Sequence, residues 1–484
     1  MKQQLEEARD QKQADGDSAE TDDPFAEIYI GSGSPYFSGI NMFDQLTLRA
    51  VNRMAERVSS SVSFAKVESV DGVIPKGLDV AGLNIRIPFC ASRCPYCAFP
   101  GERYSNSYAK VFLQGLSQEM SLYASVFGKR KTSVDRVYLS GGTPTLMYKD
   151  FGTIQSHVNE HFSFKGKVAL EASPADLSDD VLSSLSDLGV SQLSIGVQSF
   201  NEGLLSRVLG RPAKRGDLIS TLKRVMDHGF EYVNIDLMFS LPGQTKEMLI
   251  EDLETAASTG VQGISTYPLM MLPYTALSKA CSGKPAKGPN KGDKADQSAE
   301  AGTKTGSPFT AQAGQAAEIE EYLAIIGFLR DRSYKFRTLW SFSLNPGAYE
   351  GPYEHDNFIG LGPRAWGVIN NRFTLNSPST EDYIATLRDG KLPIFAYSEL
   401  RDYPISRLAR RFYYGGISRG ELNELKKSDG NLGMLVVLLR FLGLVKYDGD
   451  YLKLTDKALA YGNIATKKIA METLAKMDGI LVAG

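Results

Sequence analysis

The chain has 484 residues, of which 42% are hydrophobic and 23% charged, and its formal net charge is −2. This length predicts two or three globular domains, and the lack of a basic excess argues against a nucleic-acid-binding surface. No stretch approaches about 18 uncharged apolar residues, so we expect no membrane-spanning helix. The N-terminus lacks the apolar core of a secretion signal, and four cysteines do not make a disulfide framework, so we expect a cytoplasmic protein.

The predicted elements begin after a polar, mostly acidic tail at residues 1–23, which we expect to be disordered. An N-terminal segment, residues 24–79, precedes the part with the clearest pattern. Over residues 80–281, short apolar runs that end in Gly, Pro, Ser or Asn alternate with amphipathic stretches. This alternation predicts about six βα units in a parallel α/β sheet or barrel. The chemistry of such folds lies at the carboxyl ends of the strands.

The remaining sequence divides into three parts. Residues 282–316 are rich in Gly, Lys, Ala and Ser, which indicates a low-complexity surface insertion. Residues 317–395 are predicted to close the barrel. Residues 396–484 show two helices and then two short strands around a "DGD" turn, which is typical of a winged-helix-like domain. Because this domain lacks a basic stripe, we interpret it as a packing element or substrate lid.

Three of the four cysteines lie within eight residues, as Cys90, Cys94 and Cys97 in "CASRCPYC". Thiolates are soft ligands that suit zinc or iron–sulfur clusters. A structural zinc site needs four ligands, and the nearest histidines, His157 and His161, are about 60 residues away. Three thiolates on a four-iron cluster leave one iron open to a substrate or cofactor. A reduced, buried group of cysteines or a partial zinc site remains the alternative.

"CASRCPYC" resembles the cluster motif of the radical S-adenosylmethionine (SAM) superfamily, and its flanks are similar to the branch of oxygen-independent coproporphyrinogen III oxidase. The resemblance continues through "YLSGGTPTLM", "LEASPADLS", "LSIGVQSFNEGLLSRVLGR" and "NIDLMFSLPGQT". It implies a partial (βα)6 barrel followed by the winged-helix-like domain. It also implies a [4Fe–4S] cluster on Cys90, Cys94 and Cys97, SAM on the open iron, and an electron donor such as flavodoxin or ferredoxin.

The resemblance further assigns a group of residues around SAM. These residues are Tyr96, Gly141, Gly142, Thr143, Glu171, Gln198, Arg211 and Asp236. Three of these residues have ordinary structural alternatives. The Gly-Gly pair is also typical of a tight turn, and Asp236 is also typical of a strand-end cap.

The chain departs from the coproporphyrinogen oxidases at three positions near the cluster. Phe99 stands where they carry a further cysteine, Arg86 where they carry a histidine, and Asn84 where they carry an aromatic residue. These differences favour a class C radical SAM methyltransferase, which uses two SAM molecules to methylate a planar substrate. Our main prediction is menaquinone, methylated at ring carbon 8, which requires at most peripheral contact with the inner face of the membrane.

On the substrate side we expect Tyr267 and Arg364 to take part in catalysis, and His355 is a further candidate for substrate contact. Tyr267 ends a predicted barrel strand, and Arg364 lies beside an aromatic residue. The alternative substrates are tetrapyrroles, handled by a haem-opening methyltransferase or a coproporphyrinogen oxidase-like enzyme. A haem chaperone is the alternative from a different functional class.

Overall fold

The computed structural model describes residues 42–67, 70, 73–75, 80–99, 101–128, 131–282, 314–345, 357–399 and 404–482. The predicted tail at 1–23, most of the predicted insertion, and His355 lie outside the described residues. The helices in the described ranges are α1 Met42–Ser60, α2 Asn106–Phe127, α3 Phe151–His161, α4 Asp179–Asp187, α5 Glu202–Arg207, α6 Arg215–Asp227, α7 Lys246–Ser258, α8 Ala276–Cys281, α9 Gln315–Asp331, α10 Thr380–Arg388, α11 Pro404–Tyr413, α12 Arg419–Ser428, α13 Asn431–Phe441 and α14 Asp456–Val482. Within these ranges, no helix has both the length and the apolar character of a membrane span.

The strands in the described ranges fall into one large sheet and two small ones. They are β1 Ala65–Lys66, β2 Gly82–Ile87, β3 Phe89–Cys90, β4 Glu102–Arg103, β5 Ser133–Gly141, β6 Ser163–Ala172, β7 Val190–Gln198, β8 Tyr232–Phe239, β9 Gly263–Pro268, β10 Lys335–Thr338, β11 Ser341–Ser343, β12 Phe358–Leu361, β13 Trp366–Ile369, β14 Arg372–Asn376, β15 Ile394–Glu399, β16 Gly416–Ser418, β17 Val445–Asp448 and β18 Tyr451–Leu454. The large sheet has the order β1-β15-β14-β13-β12-β2-β5-β6-β7-β8-β9-β11-β10.

The centre of the large sheet is the predicted series of βα units. Strands β2, β5, β6, β7, β8 and β9 are neighbours in chain order, and each pair is parallel. Such pairs need crossover connections, which helices α2 to α7 supply. The predicted partial (βα)6 barrel is therefore confirmed. Strand β12 adds a seventh parallel strand beside β2, which the sequence analysis did not anticipate.

The helices of these units begin at residues whose side chains cap them. The side-chain oxygens of Ser105, Ser178, Asn201 and Thr245 accept a hydrogen bond from the backbone N–H three residues later. Each cap satisfies one of the free N–H groups at a helix start and contributes about 1 kcal/mol. These caps fix where the chain leaves each strand-end loop, and so they fix the loops that carry the site.

The two faces of the parallel sheet differ in polarity. On β8, Val233, Ile235 and Leu237 are buried and belong to the main hydrophobic core, whereas Asn234 and Asp236 point to the other face. The apolar face packs on the surrounding helices, while the opposite face is lined by polar groups. The barrel interior is therefore a polar surface.

The C-terminal region differs from the prediction in where it begins and in its last helix. The predicted boundary at residue 396 falls inside β15, which belongs to the large sheet. Helices α11 to α13 and the small sheet β16-β18-β17 enclose a separate hydrophobic core, as a winged-helix-like unit does. The 27-residue helix α14 then leaves this unit and packs on α1 and α9. At the other boundary, α9 already begins at Gln315, inside the predicted insertion.

Candidate functional site

The three clustered cysteines lie on one loop that follows β2. Cys90 ends β3, which pairs with β4, and the loop then carries Cys94 and Cys97. The Cys97 N–H donates to the Cys94 carbonyl at 3.2 Å, and the Arg93 guanidinium donates to the Gly101 carbonyl at 3.2 Å. The loop therefore folds back on itself, and its cysteines are free thiols.

The thiols lie in a low-polarity environment and repel one another when charged. Desolvation raises the pKa of the Cys90 and Cys97 thiols, and the charge of Cys94 raises both further. Thiols of this kind become thiolates when they bind a metal, because metal ligation displaces the proton. The Arg86 guanidinium acts in the opposite direction, since its positive charge lowers the pKa of both thiols.

The donor set fits an iron–sulfur cluster. Among the described residues, no group of three His, Cys, Asp or Glu side chains converges on a single-ion site. A zinc ion would require such convergence, with Zn–S bonds of about 2.3 Å. In a [4Fe–4S] cluster each thiolate binds a different iron, so its ligands stand further apart. The C-x3-C-x2-C spacing offers one thiolate to each of three irons and leaves one iron without a protein ligand.

Two neighbouring segments hold the cysteine loop in place. The Pro95 carbonyl accepts from the Leu277 N–H at 2.9 Å, and the Ala98 carbonyl accepts from the Tyr274 hydroxyl at 3.2 Å. Gly210, with φ of 60°, lies so close to Pro95 that a Cβ there would be 2.8 Å from the proline ring. The loop is thus fixed between the connection after β7 and the segment after β9.

The glycines of "GGTP" lie directly against the cysteine loop. The Gly142 N–H donates to the Ile87 carbonyl at 2.8 Å, and the Thr143 N–H donates to the Phe89 carbonyl at 2.6 Å. A Cβ on Gly142 would lie 2.2 Å from the Phe89 oxygen, so no other residue fits without a backbone shift. The Thr143 hydroxyl hydrogen-bonds to the thiol of Cys90. This segment therefore borders the position that the cluster requires.

Glu171, at the end of β6, holds the first of these glycines. Its carboxylate accepts from the Gly141 N–H at 3.2 Å and from the Tyr138 hydroxyl at 2.9 Å. Desolvation raises the pKa of Glu171, and these two hydrogen bonds together with the charge of Arg86 offset part of that effect. Gly141 itself has φ of 117°, which side-chain-bearing residues rarely adopt.

Gln198 and Arg211 converge at the end of β7. A Cβ on Gly196 would lie 2.8 Å from the Gln198 amide nitrogen and 3.4 Å from an Arg211 guanidinium nitrogen. Gln198 has φ of 72°, a strained conformation for a residue with a side chain. Arg211 donates to the Ser173 hydroxyl at 2.8 Å and to the Tyr96 hydroxyl at 3.5 Å. The structure therefore brings Tyr96, Gln198 and Arg211 together beside the cysteine loop.

Asp236, on β8, belongs to a polar network inside the barrel. Its carboxylate accepts from the Asn234 amide at 2.9 Å and from the Ser194 hydroxyl at 3.2 Å. Desolvation raises the pKa of Asp236 to about 7, and repulsion from Glu171 adds to the rise. The Asn234 amide oxygen accepts from the Ser265 hydroxyl at 3.1 Å, which extends the network to β9.

Most of these polar groups were not predicted from the sequence as interior residues. A second polar pair lies on β2 and β5, where the Ser140 hydroxyl donates to the Asn84 side chain at 2.8 Å. The signal is present in "LNIRI" and "YVNIDL", where polar residues alternate with apolar ones. Parallel strands covered on both faces usually have continuous apolar runs. The alternation therefore indicated a polar interior.

Tyr267, a predicted catalytic residue, packs against Trp340, which in turn contacts the C-terminal helix. Its ring packs edge-on against Trp340, with 5.6 Å between the ring centroids. The Trp340 indole N–H donates to the Asn463 side chain of α14 at 2.9 Å. Tyr267 therefore connects the end of β9 to the C-terminal helix.

Arg364, the other predicted catalytic residue, lies on a strained turn that faces the same region. Its φ is 54°, and its guanidinium lies 3.6 Å from the carboxylate of Asp478 on α14. Burial lowers the pKa of Arg86, and the positive charge of Arg364 lowers it further. Burial raises the pKa of Tyr274, the residue that holds the cysteine loop, and the charge of Arg364 offsets part of that rise. The C-terminal helix thus reaches the site through Asp478, which no sequence motif marks.

A buried carboxylate supports the turn that carries Arg364. Glu119 on α2 accepts from the Gly362 N–H at 2.8 Å, the Asn376 amide at 2.8 Å and the Tyr383 hydroxyl at 2.6 Å. Desolvation raises its pKa to about 8. No sequence motif marks Glu119, because its partners lie more than 240 residues away along the chain.

Comparison with known proteins agrees with the cluster site. Residues 84–256 match the family model of the Radical SAM superfamily. This region is a radical SAM domain. It contains the predicted cluster and SAM residues, whereas Tyr267 and Arg364 lie outside the matched range. The superfamily uses a [4Fe–4S] cluster and SAM, so the predicted cofactors are confirmed.

The relatives described below differ in how much of this chain they match. The chain is 34% identical over 197 residues to the heme chaperone HemW of Bacillus subtilis (strain 168), a match that covers 40% of this chain and 51% of that protein. The chain thus spans about half the length of that relative. It is 24% identical over 378 residues to the anaerobilin synthase of Escherichia coli O157:H7, which covers 77% of this chain and 80% of that protein.

Among solved structures, coproporphyrinogen III oxidase of Escherichia coli, described as a radical SAM enzyme, resembles this fold. The TM-score is 0.64 at 20% sequence identity, and the match covers 88% of this chain and 93% of the other. The likeness therefore extends beyond the radical SAM domain into the C-terminal region, as a likeness of fold.

Proposed function

We propose that this chain is a radical SAM enzyme that acts on a tetrapyrrole, with haem as the favoured substrate. The observation that carries the proposal is the extent of the match to anaerobilin synthase, which spans 378 residues and 80% of that protein. A match of this length extends well beyond residues 84–256, the radical SAM region. The similarity is therefore not confined to the part of the chain that would hold the cluster and SAM.

The charges around the site support a substrate with carboxylates. Arg364 and Arg86 lie close enough to repel one another. A guanidinium binds carboxylates well, because its planar donors match the two carboxylate oxygens. Tetrapyrroles such as haem carry propionate groups, and the quinone ring does not. The Arg364 guanidinium is therefore better matched to the propionates of a tetrapyrrole than to the head group of menaquinone.

Menaquinone methylation, our main prediction from sequence, gains no support from these relatives. Their names refer to haem, to anaerobilin and to coproporphyrinogen. The tetrapyrrole alternative is therefore the better supported. Within it, Phe99 and Arg86 still argue for chemistry other than decarboxylation of coproporphyrinogen, since the resemblance links that reaction to a cysteine and a histidine at these positions.

The geometry supports a role for several of the chain's own residues. When bound, the cluster would supply the single electron for reductive cleavage of SAM. Cys90, Cys94 and Cys97 would hold the cluster, while the Gly141–Thr143 segment would border SAM. The Glu171 carboxylate fixes that segment through the Gly141 N–H. Polar groups of the barrel interior, Asp236 among them, would bind and orient SAM and exclude bulk water.

A haem chaperone is the second candidate, favoured by the 34% identity to the heme chaperone HemW. Such a protein binds haem without turning it over. The two candidates differ in product: an enzyme consumes SAM in proportion to the haem that it converts, whereas a chaperone releases haem unchanged.

The test is an anaerobic assay of the cluster-loaded protein with SAM, a low-potential reductant and one of three substrates: haem, coproporphyrinogen III or menaquinone. We expect a new tetrapyrrole product from haem, together with 5′-deoxyadenosine and S-adenosylhomocysteine, measured by liquid chromatography and mass spectrometry. Stoichiometric binding of unchanged haem would favour the chaperone. Methylated menaquinone with unchanged haem would refute the tetrapyrrole proposal.

A further inference from the structure

Arg86 occupies an unusual position for a charged side chain. It lies on β2, a few residues before Cys90 in the chain, and the residue is only 6% exposed. One guanidinium nitrogen lies 3.4 Å from the Phe99 carbonyl, while its Nε has no hydrogen-bond partner among the described residues. Its stem packs against Gly141, where a Cβ would be 2.9 Å from the Arg86 Cγ. The side chain is therefore held in place although its hydrogen-bonding capacity is only partly used.

The nearest protein charges do not neutralise Arg86. Arg364 is a second cation nearby and repels it. Glu171 attracts it, but that carboxylate already accepts from Tyr138 and Gly141. A buried guanidinium stays charged and is costly without an anion. The remaining acidic groups in its surroundings are the thiols of Cys90 and Cys97, which become thiolates when they ligate a cluster.

Arg86 also reaches the cluster ligands through the backbone of Phe99. The Phe99 N–H donates to the Cys97 sulfur at 3.3 Å, and the Phe99 carbonyl accepts from Arg86. The Arg86 guanidinium further lies 5.8 Å from the centre of the Phe99 ring. Arg86 thus contacts both the carbonyl and the ring of Phe99, while the Phe99 N–H donates to a cluster ligand.

From this arrangement we propose that Arg86 raises the reduction potential of the cluster. Reduction takes one electron from an external low-potential donor and adds one negative charge to a cluster that three thiolates already make negative. A fixed positive charge stabilises the reduced form more than the oxidised form, and N–H···S hydrogen bonds act in the same direction. Arg86 provides the charge and holds the Phe99 N–H on Cys97. It is a positioning and tuning residue, which does not itself ligate the cluster.

The test is an anaerobic redox titration of the cluster-loaded protein, without SAM or substrate, followed by electron paramagnetic resonance. We expect R86Q to make reduction at least tenfold less favourable, a shift of about 59 mV to lower potential for a one-electron couple. R86K keeps the positive charge, so we expect a shift smaller than threefold. R136Q is the matched control, because Arg136 is equally buried at 7% but lies at the opposite end of the adjacent strand β5.

An unchanged potential in R86Q at full iron content would overturn the proposal, and so would an equal shift in R136Q. If R86Q does not assemble the cluster, R86K decides the question. A potential within threefold of the wild type then supports the role of the charge, and a tenfold or larger fall refutes it. The proposal rests on the cluster site and not on the substrate, so its failure would leave the tetrapyrrole proposal untouched.

Discussion

Asp236 gives the most quantitative prediction, because its carboxyl is strongly perturbed and lies within the site. Desolvation and repulsion from Glu171 raise its pKa to about 7, from an ordinary value of 3.8. A folded-state pKa above the unfolded value means that the folded chain binds a proton more tightly. The stability that comes from this tighter proton binding by Asp236 is therefore fully present below about pH 4, and it is lost as the pH rises through about 7.

The size of this effect follows from the shift in pKa. A shift of about three units corresponds to about 4 kcal/mol at pH 8, at 1.36 kcal/mol per unit. The carboxyl is partly accessible from the barrel interior, so solvent reduces the cost. The Asn234 amide and the Ser194 hydroxyl now donate to the Asp236 carboxylate. In D236N an amide N–H would face these two donors, and the lost hydrogen bond would cost about 1 kcal/mol of stability. We therefore expect D236N to stabilise the ligand-free fold by about 2 kcal/mol at pH 8 and not at pH 5.

The assay is thermal unfolding of the cluster-loaded protein at a fixed scan rate, at pH 5 and pH 8, with and without SAM. We expect the melting temperature of D236N at pH 8 to exceed that of the wild type by a few degrees. Because Asp236 is proposed to bind SAM, the rise that SAM causes in the wild type should be smaller in the variant.

D252N provides the matched control. Asp252 also has a raised pKa, of about 6, but it lies on α7 and accepts from the Ser199 hydroxyl and the Phe200 N–H, both at 2.7 Å. By the same reasoning this variant should also gain stability at pH 8, though less than D236N because its pKa is raised less, and its response to SAM should stay intact. The reasoning about Asp236 would be refuted if D236N were no more stable than the wild type at pH 8.

Three further predictions concern the cluster, the glycine segment and the substrate side. C94A should lose the visible absorbance of the cluster and most of its iron, while C281A, which lacks the fourth cysteine outside the motif, should keep both; a full cluster in C94A would contradict the ligand assignment. G142A places a Cβ 2.2 Å from the Phe89 oxygen, so we expect the purified variant to bind SAM at least tenfold more weakly in equilibrium dialysis, and unchanged affinity would contradict the fit. R364Q should raise the KM for a tetrapyrrole with free propionates about tenfold, about 1.4 kcal/mol, with little change in kcat, and the esterified tetrapyrrole should show no such difference between variant and wild type.

Local patterns in the sequence predicted the part of the fold that local patterns determine. The alternation of apolar runs and amphipathic stretches predicted six parallel strands, and the spacing of Cys90, Cys94 and Cys97 predicted the cluster ligands. Strand β12 was missed because it has only four residues, and its place beside β2 depends on a pairing across more than 270 residues. Pairings of this kind are set by the tertiary fold, which a single sequence does not display.

The site was predictable where a motif surrounds a residue and was missed where only the fold brings residues together. Glu171, Gln198 and Arg211 lie in recognisable segments, and the structure brings them to one end of the sheet. Asp478 and Glu119 were missed, since each reaches the site from a helix remote in sequence. The positive φ angles of Gln198 and Arg364 were also not foreseen, because neither is a glycine.

Isotope transfer tests most directly whether this protein does radical SAM chemistry on a tetrapyrrole. The cluster-loaded protein is incubated anaerobically with haem, a reductant and SAM labelled with 13C in its methyl group, and the tetrapyrroles are analysed by mass spectrometry. We expect a haem-derived product that forms only when SAM and reductant are both present, and methyl transfer would place the 13C label in that product. Recovery of all the haem unchanged, while SAM is still cleaved to 5′-deoxyadenosine, would contradict it.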